Sequence, residues 1–381
     1  MIMKIAYISQ FAPDDRRASS GTNYKVVEQL GKMGDITWFP IRTPKIYRVF
    51  ELASKALAKI CGRKIYFLYT KLGCNLFARN QKISIDELNK CDVIFAFFNA
   101  TPFWTITISK PIVYLTDATY PAMIDYYPPF CNLFNFNKNG GYYIEECLFD
   151  KFTSILCASD WARVSAIEDL HQSSDKVRCI EFGANIDNQD VVEHTFNYTD
   201  HLHVLFLGVD WVRKGGEIAV KTCRLLNGNG IKTTLHVVGI KNLDNKICNL
   251  PFVDNVGFLD KNIQQEYRLL LKIISRCHLL LLPTNAECAG IAFGEASAFG
   301  LPVFTYKTGG VANYVIDGEN GYALSITSTE KEFYEKIKAC IETKTLEKLS
   351  YKSALLYKNK LNWNRWGNEV RSLFNSILNK S

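Results

Sequence analysis

The chain has 381 residues, 48% of them apolar, and a formal net charge of +7. This length and apolar content predict two globular domains, each with its own core, and exclude long disordered tracts. No apolar stretch reaches the length of a membrane-spanning helix, because the nearest candidate, residues 93–109, contains Asn99 and Pro102.

The cysteines and the amino terminus indicate the compartment. Twelve cysteines are scattered along the chain without a C-x-x-C pair, a pattern typical of buried free thiols rather than of a disulfide framework or a zinc site. The first eight residues are too short for the apolar core of a secretory signal and lead directly into a strand-like pattern. We therefore expect a cytoplasmic protein, either soluble or peripheral on the inner face of the membrane.

Strands and helices alternate along the first half of the chain. The pattern predicts strands at residues 4–10, 93–98, 111–115, 155–158 and 176–181, and helices at residues 26–33 and from Ser159 onward. The loop before the first helix carries Ser20-Gly21-Thr22, whose backbone N–H groups could receive an anion. The alternative for Gly21 is a plain turn.

The segment of residues 45–82 is strongly basic. It holds nine Lys or Arg against one acid, a net charge of +8, interleaved with apolar and aromatic residues in a pattern that suits amphipathic helices. One interpretation is a solvated face that covers the sheet. The other is a patch, centred on Lys55, Lys59, Arg63 and Lys64, for an anionic membrane surface or a pyrophosphate-linked acceptor. No recognised nucleic-acid-binding module accompanies the charge, so we expect no nucleic-acid partner.

Asp117 follows the predicted strand at residues 111–115. The carboxyl ends of strands are where open α/β sheets place residues that contact ligands, so Asp117 is a candidate site residue. The alternative is a helix N-cap. An aromatic run, residues 126–143, comes next and could line a sugar or lipid acceptor or simply pack under a loop.

The second half repeats the alternation after a polar connection at residues 188–201. The pattern predicts strands at residues 203–208, 233–239, 256–258 and 279–282, and helices at residues 215–226, 264–277 and 364–378. Strand–helix alternation in both halves predicts two Rossmann-like domains with parallel sheets.

Residues 283–310, PTNAECAGIAFGEASAFGLPVFTYKTGG, hold the most informative motif. Glu287 ends the preceding strand, and Glu295, with seven residues between them, begins a short predicted helix. Between them lies a loop of small residues that includes Gly290, Ile291 and Ala292. A glycine permits close approach of the backbone to a ligand, and the N–H groups at a helix start favour negative charge, so we expect a phosphate here.

This stretch resembles the donor-site signature of the retaining GT-B glycosyltransferases of the large family 4 type, the group of phosphatidylinositol mannosyltransferases and sucrose synthases. The resemblance lies in P-T-x-x-E-C-A-G-I-x-x-x-E-A, F-G-L-P-V and T-G-G-V, and it continues through residues 315–321. It implies an α/β GT-B fold of two facing domains, with an acceptor domain at residues 1–187 and a nucleotide-sugar donor domain at residues 202–358. It also implies that residues 359–381 form a helix that crosses back to the first domain.

The resemblance also implies roles for individual residues. Glu287 would hold hydroxyls of the donor sugar, Glu295 the ribose, and the amides around Gly290, Ile291 and Ala292 a phosphate. Lys214 fits the lysine that neutralises the departing diphosphate. The list of expected donor-binding residues is completed by Arg213, Gly21 and Gly257.

This sequence departs from the family pattern at three places. Val209 stands where an arginine is usual, so Arg213 is the expected substitute; only Gly21 remains of two adjacent glycines; and Asp117 lies where many relatives have a histidine. Because no D-x-D occurs in the chain, we expect no metal and no cofactor, with the diphosphate neutralised by Lys214, Arg213 and helix N-termini.

The sequence thus predicts an enzyme that moves a sugar, with retention, from a nucleotide-diphosphate donor to a glycan or lipid-linked acceptor, in cell-surface glycan or glycolipid synthesis. Glu287, Lys214 and Asp117 are the expected catalytic residues. Two alternatives stay open: a nucleotide-sugar 2-epimerase of the same fold, which needs no acceptor, and a non-catalytic protein of the membrane surface.

Overall fold

The computed structural model describes residues 2–191 and 196–379. Part of the predicted connection at residues 188–201 therefore lies outside the described residues, as do Met1 and the last two residues of the predicted C-terminal segment.

Within these ranges, twelve strands form two six-stranded sheets in which every pairing is parallel. The strands are β1 (Met3–Ser9), β2 (Gly34–Pro40), β3 (Val93–Phe97), β4 (Ile112–Thr116), β5 (Ser154–Cys157), β6 (Val177–Cys179), β7 (Leu202–Leu207), β8 (Thr233–Val238), β9 (Val253–Gly257), β10 (Leu279–Leu282), β11 (Val303–Tyr306) and β12 (Gly321–Leu324).

Fourteen α-helices lie in the same described ranges. They are α1 (Thr22–Gly31), α2 (Lys45–Ile60), α3 (Lys71–Arg79), α4 (Ile85–Asn89), α5 (Tyr120–Met123), α6 (Asn135–Phe149), α7 (Asp160–Glu168), α8 (Gly216–Gly228), α9 (Asn245–Cys248), α10 (Gln264–Arg276), α11 (Ile291–Ala298), α12 (Glu330–Glu342), α13 (Thr345–Asn359) and α14 (Trp363–Leu378).

The strand orders place a crevice in each sheet. The first sheet has the order β2-β1-β3-β4-β5-β6 and the second β12-β11-β10-β7-β8-β9. In each sheet the chain adds strands toward one edge and then, from one point, toward the other edge. This point lies between β1 and β3 in the first sheet and between β7 and β10 in the second. Ligands of open α/β sheets bind outside the carboxyl ends of the strands at such a point.

The described residues form two compact units. The first comprises the residues up to Ala18, Asn23–Ile180 and the residues from Gly367 onward; the second comprises Ser19–Thr22 and Glu181–Trp366. The division falls within α14, whose later part packs in the first unit, where the ring of Phe374 lies 6.3 Å from that of Phe95. The predicted α/β class with two parallel sheets is confirmed.

The apolar runs explain why the central strands were predictable. β3, β4, β5 and β10 are buried along their whole length, as expected of parallel strands covered by helices on both faces. The predicted helix start at Ser159 is also confirmed: this residue is the N-cap of α7, and its side chain accepts from the N–H of Ala162.

Four histidines contact one another in the second sheet. The His203 ring on β7 lies 2.9 Å from His236 on β8, Nδ1 to Nε2, and stacks on His201 and His278. Burial, together with the neighbouring His201, His236, Arg276 and Lys232, lowers the pKa of His203 to about 4. Burial also lowers the pKa of His236, against the opposing effect of Asp254.

This cluster predicts a loss of stability in mild acid. Because an unfolded histidine takes up its proton near pH 6.5 and folded His203 only near pH 4, protonation favours the unfolded state as the pH falls through that window. The partial exposure of the cluster limits the effect to about 1–2 kcal/mol in the free energy of unfolding.

Denaturant unfolding of wild type and His203→Asn from pH 7 to pH 4 measures this effect. The variant loses contacts and is less stable than the wild type at pH 7. The difference between their free energies of unfolding should become smaller as the pH falls. The exposed His171, whose φ of 53° asparagine also tolerates, provides the matched control His171→Asn. If the difference in the free energy of unfolding between wild type and His203→Asn stayed constant from pH 7 to pH 4, His203 would not be the cause of the acid sensitivity.

Candidate active site

Two loops meet at the crevice of the second sheet, where β7 and β10 are neighbours. Residues 208–215 follow β7 and residues 283–290 follow β10. Gly215 has a φ of 74°, and a Cβ at this position would lie 2.0 Å from the carbonyl oxygen of Pro283. Only glycine therefore permits this left-handed conformation and this close approach of the two backbones.

Arg213 links the two loops. Its carbonyl oxygen accepts a hydrogen bond from the N–H of Asn285 at 2.8 Å, and its Nη1 donates to the carbonyl oxygen of Ala286 at 3.0 Å. Asp210 holds the same side chain from the other direction, 3.5 Å from Nε. The guanidinium of Arg213 thus fixes the loop that precedes Glu287.

Lys214 and Glu287 form a buried ion pair at this junction. The Nζ of Lys214 donates to Oε2 of Glu287, and the two residues are only 8% and 9% exposed. The carbonyl oxygen of Glu287 accepts from the N–H of Gly310 at 3.0 Å, which ties the T-G-G-V segment to the same place. A buried charged pair is costly to desolvate, so it is weak evidence for stability and suits a site that meets charged ligands.

α11 begins earlier than predicted. The sequence places the helix start at Glu295, but the helix runs from Ile291 with Gly290 as its N-cap residue. Ile291 and Ala292 are therefore in the first turn, and Glu295 is in the second. The N–H of Ile291 donates to the carbonyl oxygen of Ala289, before the helix, at 3.0 Å. At Gly290 a Cβ would lie 2.2 Å from the Phe293 ring, so no larger residue fits without displacing that ring.

Glu295 is buried and paired with a lysine that the sequence did not single out. Its side chain is 4% exposed, and Oε1 accepts from the Nζ of Lys261, in the turn after β9. Burial raises the pKa of Glu295, and the charge of Lys261 opposes that shift without cancelling it. The one signal for Lys261 in the sequence is its place just beyond Gly257, after a strand end.

Two predicted glycines also belong to the second unit. Gly21 ends a single 3-10 turn with a φ of 100°, after Ser19 and Ser20, which have φ values of 50° and 60°. Gly257 ends β9 with a φ of 80°, and its carbonyl oxygen accepts from the N–H of Gly239. Both are in conformations that glycine adopts easily.

Asp117 lies in the first unit, beyond the last residue of β4. The N-cap of the next helix, α5, is Thr119, whose hydroxyl accepts from the N–H of Ala122 at 3.3 Å, so the capping alternative for Asp117 is wrong. Within the aromatic run, Tyr126 packs on Trp161 at 5.0 Å, while Phe136 and Tyr143 are exposed.

The four predicted patch residues lie on and just after α2, also in the first unit. Lys55 pairs with Glu51 at 2.8 Å, one helical turn earlier. Arg63 donates to Oδ1 of Asn132 at 3.2 Å and Lys64 to the carbonyl oxygen of Pro128 at 2.8 Å. Lys59 is exposed near the end of α2.

Among the residues that the structure describes, no cluster of three or more His, Cys, Asp or Glu side chains has an arrangement suited to a metal ion. Within the same part of the chain, no helix combines the length and apolarity needed to span a membrane. The metal-free assignment stays a prediction.

Comparison with known proteins covers both halves of the chain. The family described as glycosyl transferases group 1 matches residues 188–355. An uncharacterized glycosyltransferase of Methanocaldococcus jannaschii is 23% identical over 54% of this chain and 60% of its own length. The capsular polysaccharide biosynthesis glycosyltransferase CapM of Staphylococcus aureus is 22% identical over 63% of this chain. The matches span 60% and 66% of the length of these two relatives.

A solved structure shows the same fold over nearly the whole chain. HepE of Anabaena, in complex with UDP-glucose, superposes with a TM-score of 0.62 over 98% of this chain and 100% of that one, at 14% identity. Identity at this level indicates the fold alone. Residues 188–355 are thus similar to the glycosyl transferases group 1 family, and the two parallel sheets have the architecture of the GT-B fold.

Proposed function

We propose that the protein is a retaining glycosyltransferase of the family 4 type, which transfers a sugar from a nucleoside diphosphate to an acceptor hydroxyl. The observation that carries the proposal is the buried pair of Lys214 and Glu287 at the crevice between β7 and β10, followed by Glu295 in α11. The UDP-glucose in the HepE complex and the capsular polysaccharide in the name of CapM support a nucleotide-sugar donor and a glycan or glycolipid acceptor.

In this proposal the charges of the site separate the leaving group from the sugar. The bond between the anomeric carbon and the distal phosphate oxygen breaks, and the diphosphate takes the electron pair. Lys214, Arg213 and the positive N-terminal end of α11, around Ile291 and Ala292, stabilise the charge that develops there. The acceptor oxygen forms the new bond on the same face of the sugar, and its proton passes to the departing phosphate oxygen.

The carboxylates position the donor. Glu287 accepts hydrogen bonds from hydroxyls of the sugar, and Glu295 accepts them from the ribose. The glycines Gly21, Gly257 and Gly290 let the backbone approach the donor closely. Asp117 is the residue that we assign to the acceptor.

A donor panel tests this function. UDP-, GDP-, ADP- and CDP-sugars are incubated with simple sugars and with lipid-linked diphosphate sugars, and release of nucleoside diphosphate is measured with and without EDTA. We expect release from one donor class that depends on an acceptor and persists in EDTA, and an NMR spectrum of the product that shows a retained anomeric configuration. Epimerised donor formed without acceptor would favour the 2-epimerase, and no binding of any nucleotide would contradict enzymatic function altogether.

We further propose that α2 brings the first unit to an anionic membrane surface. Five apolar residues recur along one side of α2 and are exposed, whereas Tyr47 and Ala58 face the core. The five are Ile46, Val49, Phe50, Leu57 and Ile60. Lys55 and Lys59 lie on the other side of the same helix, so α2 has an apolar stripe and a cationic side, as interfacial helices do.

Binding to vesicles of phosphatidylserine and phosphatidylcholine is therefore expected in low salt. Each cation near the surface adds up to about 1 kcal/mol, and salt screens that attraction but leaves apolar insertion intact. Replacing Lys55, Lys59, Arg63 and Lys64 by glutamine should weaken sedimentation with the vesicles at least about tenfold. Replacing Val49, Phe50 and Leu57 by serine should abolish the part that resists salt.

The matched control replaces four exposed lysines of the second unit, Lys221, Lys272, Lys331 and Lys348, by glutamine. This variant loses the same charge but should bind the vesicles as the wild type does. If both variants lost vesicle binding equally, the attraction would be a general effect of net charge. If the wild type did not bind the vesicles, a soluble acceptor would be favoured.

A further inference from the structure

Lys261 is a cation inside the candidate donor site with no role in the proposed chemistry so far. Its side chain is only 17% exposed, and its ammonium donates to the buried carboxylate of Glu295. An exposed lysine in a turn is normally solvated, with its charge in water. This lysine instead places its charge against another buried charge.

The turn that carries Lys261 is held in place by its own hydrogen bonds. Asp260 donates its N–H to Oε2 of Glu266 at 2.6 Å and accepts from the N–H of Asn262 at 2.9 Å through Oδ1. Its carbonyl oxygen accepts from the N–H of Ile263, which precedes α10. The direction of the Lys261 side chain is therefore set by the turn rather than by chance.

Lys261 also lies against two main-chain carbonyls, those of Ser20 and Asn185, each 3.5 Å from Nζ. The side chain of Asn185 donates to the same carbonyl of Ser20 at 3.0 Å. Ser19 and Ser20 both have left-handed backbones, which non-glycine residues adopt only where their surroundings hold them. The ammonium thus joins Glu295 to a strained turn of the same unit.

The chemistry of a buried carboxyl explains what the ammonium does. Burial raises the pKa of Glu295, and the charge of Lys261 is the opposing influence. An ionised carboxylate accepts hydrogen bonds at both oxygens, whereas a protonated carboxyl must donate from one of them. Since Oε1 accepts from Lys261, we assign Oε2 to the ligand.

We propose that Lys261 is a positioning residue for the donor nucleotide: its ammonium holds Oε1 of Glu295, so that Oε2 accepts hydroxyls of the ribose. This inference rests on the proposed role of Glu295 in nucleotide binding. It assigns Lys261 to the nucleoside half of the donor, whereas Lys214 serves the diphosphate half.

Calorimetry with UDP, GDP, ADP and CDP and with their 2′-deoxy counterparts tests the inference on the full chain. We expect the wild type to bind one ribonucleotide at least about tenfold more tightly than its deoxy form, because a lost hydroxyl leaves a buried acceptor unpaired. Lys261→Met should reduce this preference to less than about threefold, and Lys261→Arg, which keeps the charge, should retain most of it. Lys272→Met, at an exposed position of α10, is the matched control and should behave as the wild type.

A double variant separates the possible roles and remains informative if Lys261→Met does not fold. In Lys261→Met/Glu295→Gln both charges are absent, so no unpaired buried charge remains. Compared with Glu295→Gln alone, it should bind the ribonucleotide within about twofold, because Lys261 acts through Glu295. A further tenfold loss would mean that Lys261 contacts the nucleotide directly and would overturn the inference.

The remaining outcomes distinguish this inference from the proposed function. If the wild type and Lys261→Met preferred the ribonucleotide equally, Lys261 would have no positioning role, and the role of Glu295 would be unaffected. A wild type that binds nucleoside diphosphates without any ribose preference would overturn the role of Glu295, and Lys261 with it. A wild type that binds none of these nucleotides would overturn the proposed function itself.

Discussion

Glu287→Gln is expected to lower turnover of the donor at least about a hundredfold, with the nucleotide affinity nearly unchanged. Glutamine keeps the size of the side chain and one accepting oxygen but removes the charge. Hydrogen bonds to an ionised acceptor are roughly twice as strong as neutral ones, and bonds to the sugar that strengthen in the transition state affect the rate more than the binding.

Because Glu287 forms an ion pair with Lys214, Glu287→Gln should also change the stability of the protein. Removing one partner of a buried pair leaves the other charge unpaired, at a cost of about 3 kcal/mol in the free energy of unfolding. A lower melting temperature is therefore expected along with the loss of turnover. Glu287→Ala should lose at least as much activity as Glu287→Gln, because it removes the accepting oxygen as well.

Steady-state rates of nucleoside diphosphate release, on protein shown by circular dichroism to be folded, provide the measurement. Glu335→Gln, at an exposed position of α12, changes the net charge equally and should turn over as the wild type does. Wild-type turnover by folded Glu287→Gln would remove Glu287 from the chemistry.

A run of apolar residues makes a buried central strand predictable from the sequence. β10 is four consecutive leucines, covered on both faces, and such a run reads as a central parallel strand without any tertiary information. β2, β11 and β12 were not predicted. β2 and β12 are edge strands, half exposed along their length, so their apolar pattern is weak and their pairing depends on a neighbour that local sequence does not reveal. β11 is buried throughout, but it has only four residues and lies inside the stretch interpreted as a ligand-binding motif.

The start of α11 was wrong for a related reason. The helix is buried on nearly all sides, so it lacks the polar face that gives a helix its period in the sequence. Its first turn consists of small apolar residues after Gly290, which resemble a loop. Glu287 and Lys214 were found through the motifs that surround them, although 73 residues separate them.

Lys261 was missed because nothing local distinguishes it. It lies in the polar turn Asp260-Lys261-Asn262, 34 residues before its partner Glu295, and a lysine in such a turn is usually solvated. The contact exists only because β9 ends at the same edge of the second sheet as the loop before α11. A contact between residues at the ends of different strands can be predicted only when the strand order is known. The sequence predicts the fold class but not that order.

Lys214→Met should weaken binding of the product nucleoside diphosphate at least about tenfold, because a charge-assisted hydrogen bond contributes about 1.5–3 kcal/mol. Turnover should fall at least about a hundredfold, since the charge on the diphosphate grows as the sugar departs. Methionine retains the apolar stem, so packing around the loop after β7 is largely preserved.

Calorimetry with the nucleotide and rates of donor consumption measure the two effects. The exposed Lys221 of α8 provides the control Lys221→Met, which should leave both unchanged. Unchanged nucleotide affinity in Lys214→Met would place the diphosphate elsewhere.

The double variant Lys214→Met/Glu287→Gln separates stability from catalysis. Each single variant leaves one buried charge without its partner, and a cost of about 3 kcal/mol lowers the melting temperature by roughly 6–12 °C in a unit of this size. Removing both charges removes that penalty, so the double variant should melt closer to the wild type than either single variant does. Its turnover should nevertheless be no higher than that of Glu287→Gln, because neither the cation nor the carboxylate is available to the reacting donor. If turnover recovered together with the melting temperature, the pair would be a structural ion pair, and the losses in the single variants would reflect unfolding alone.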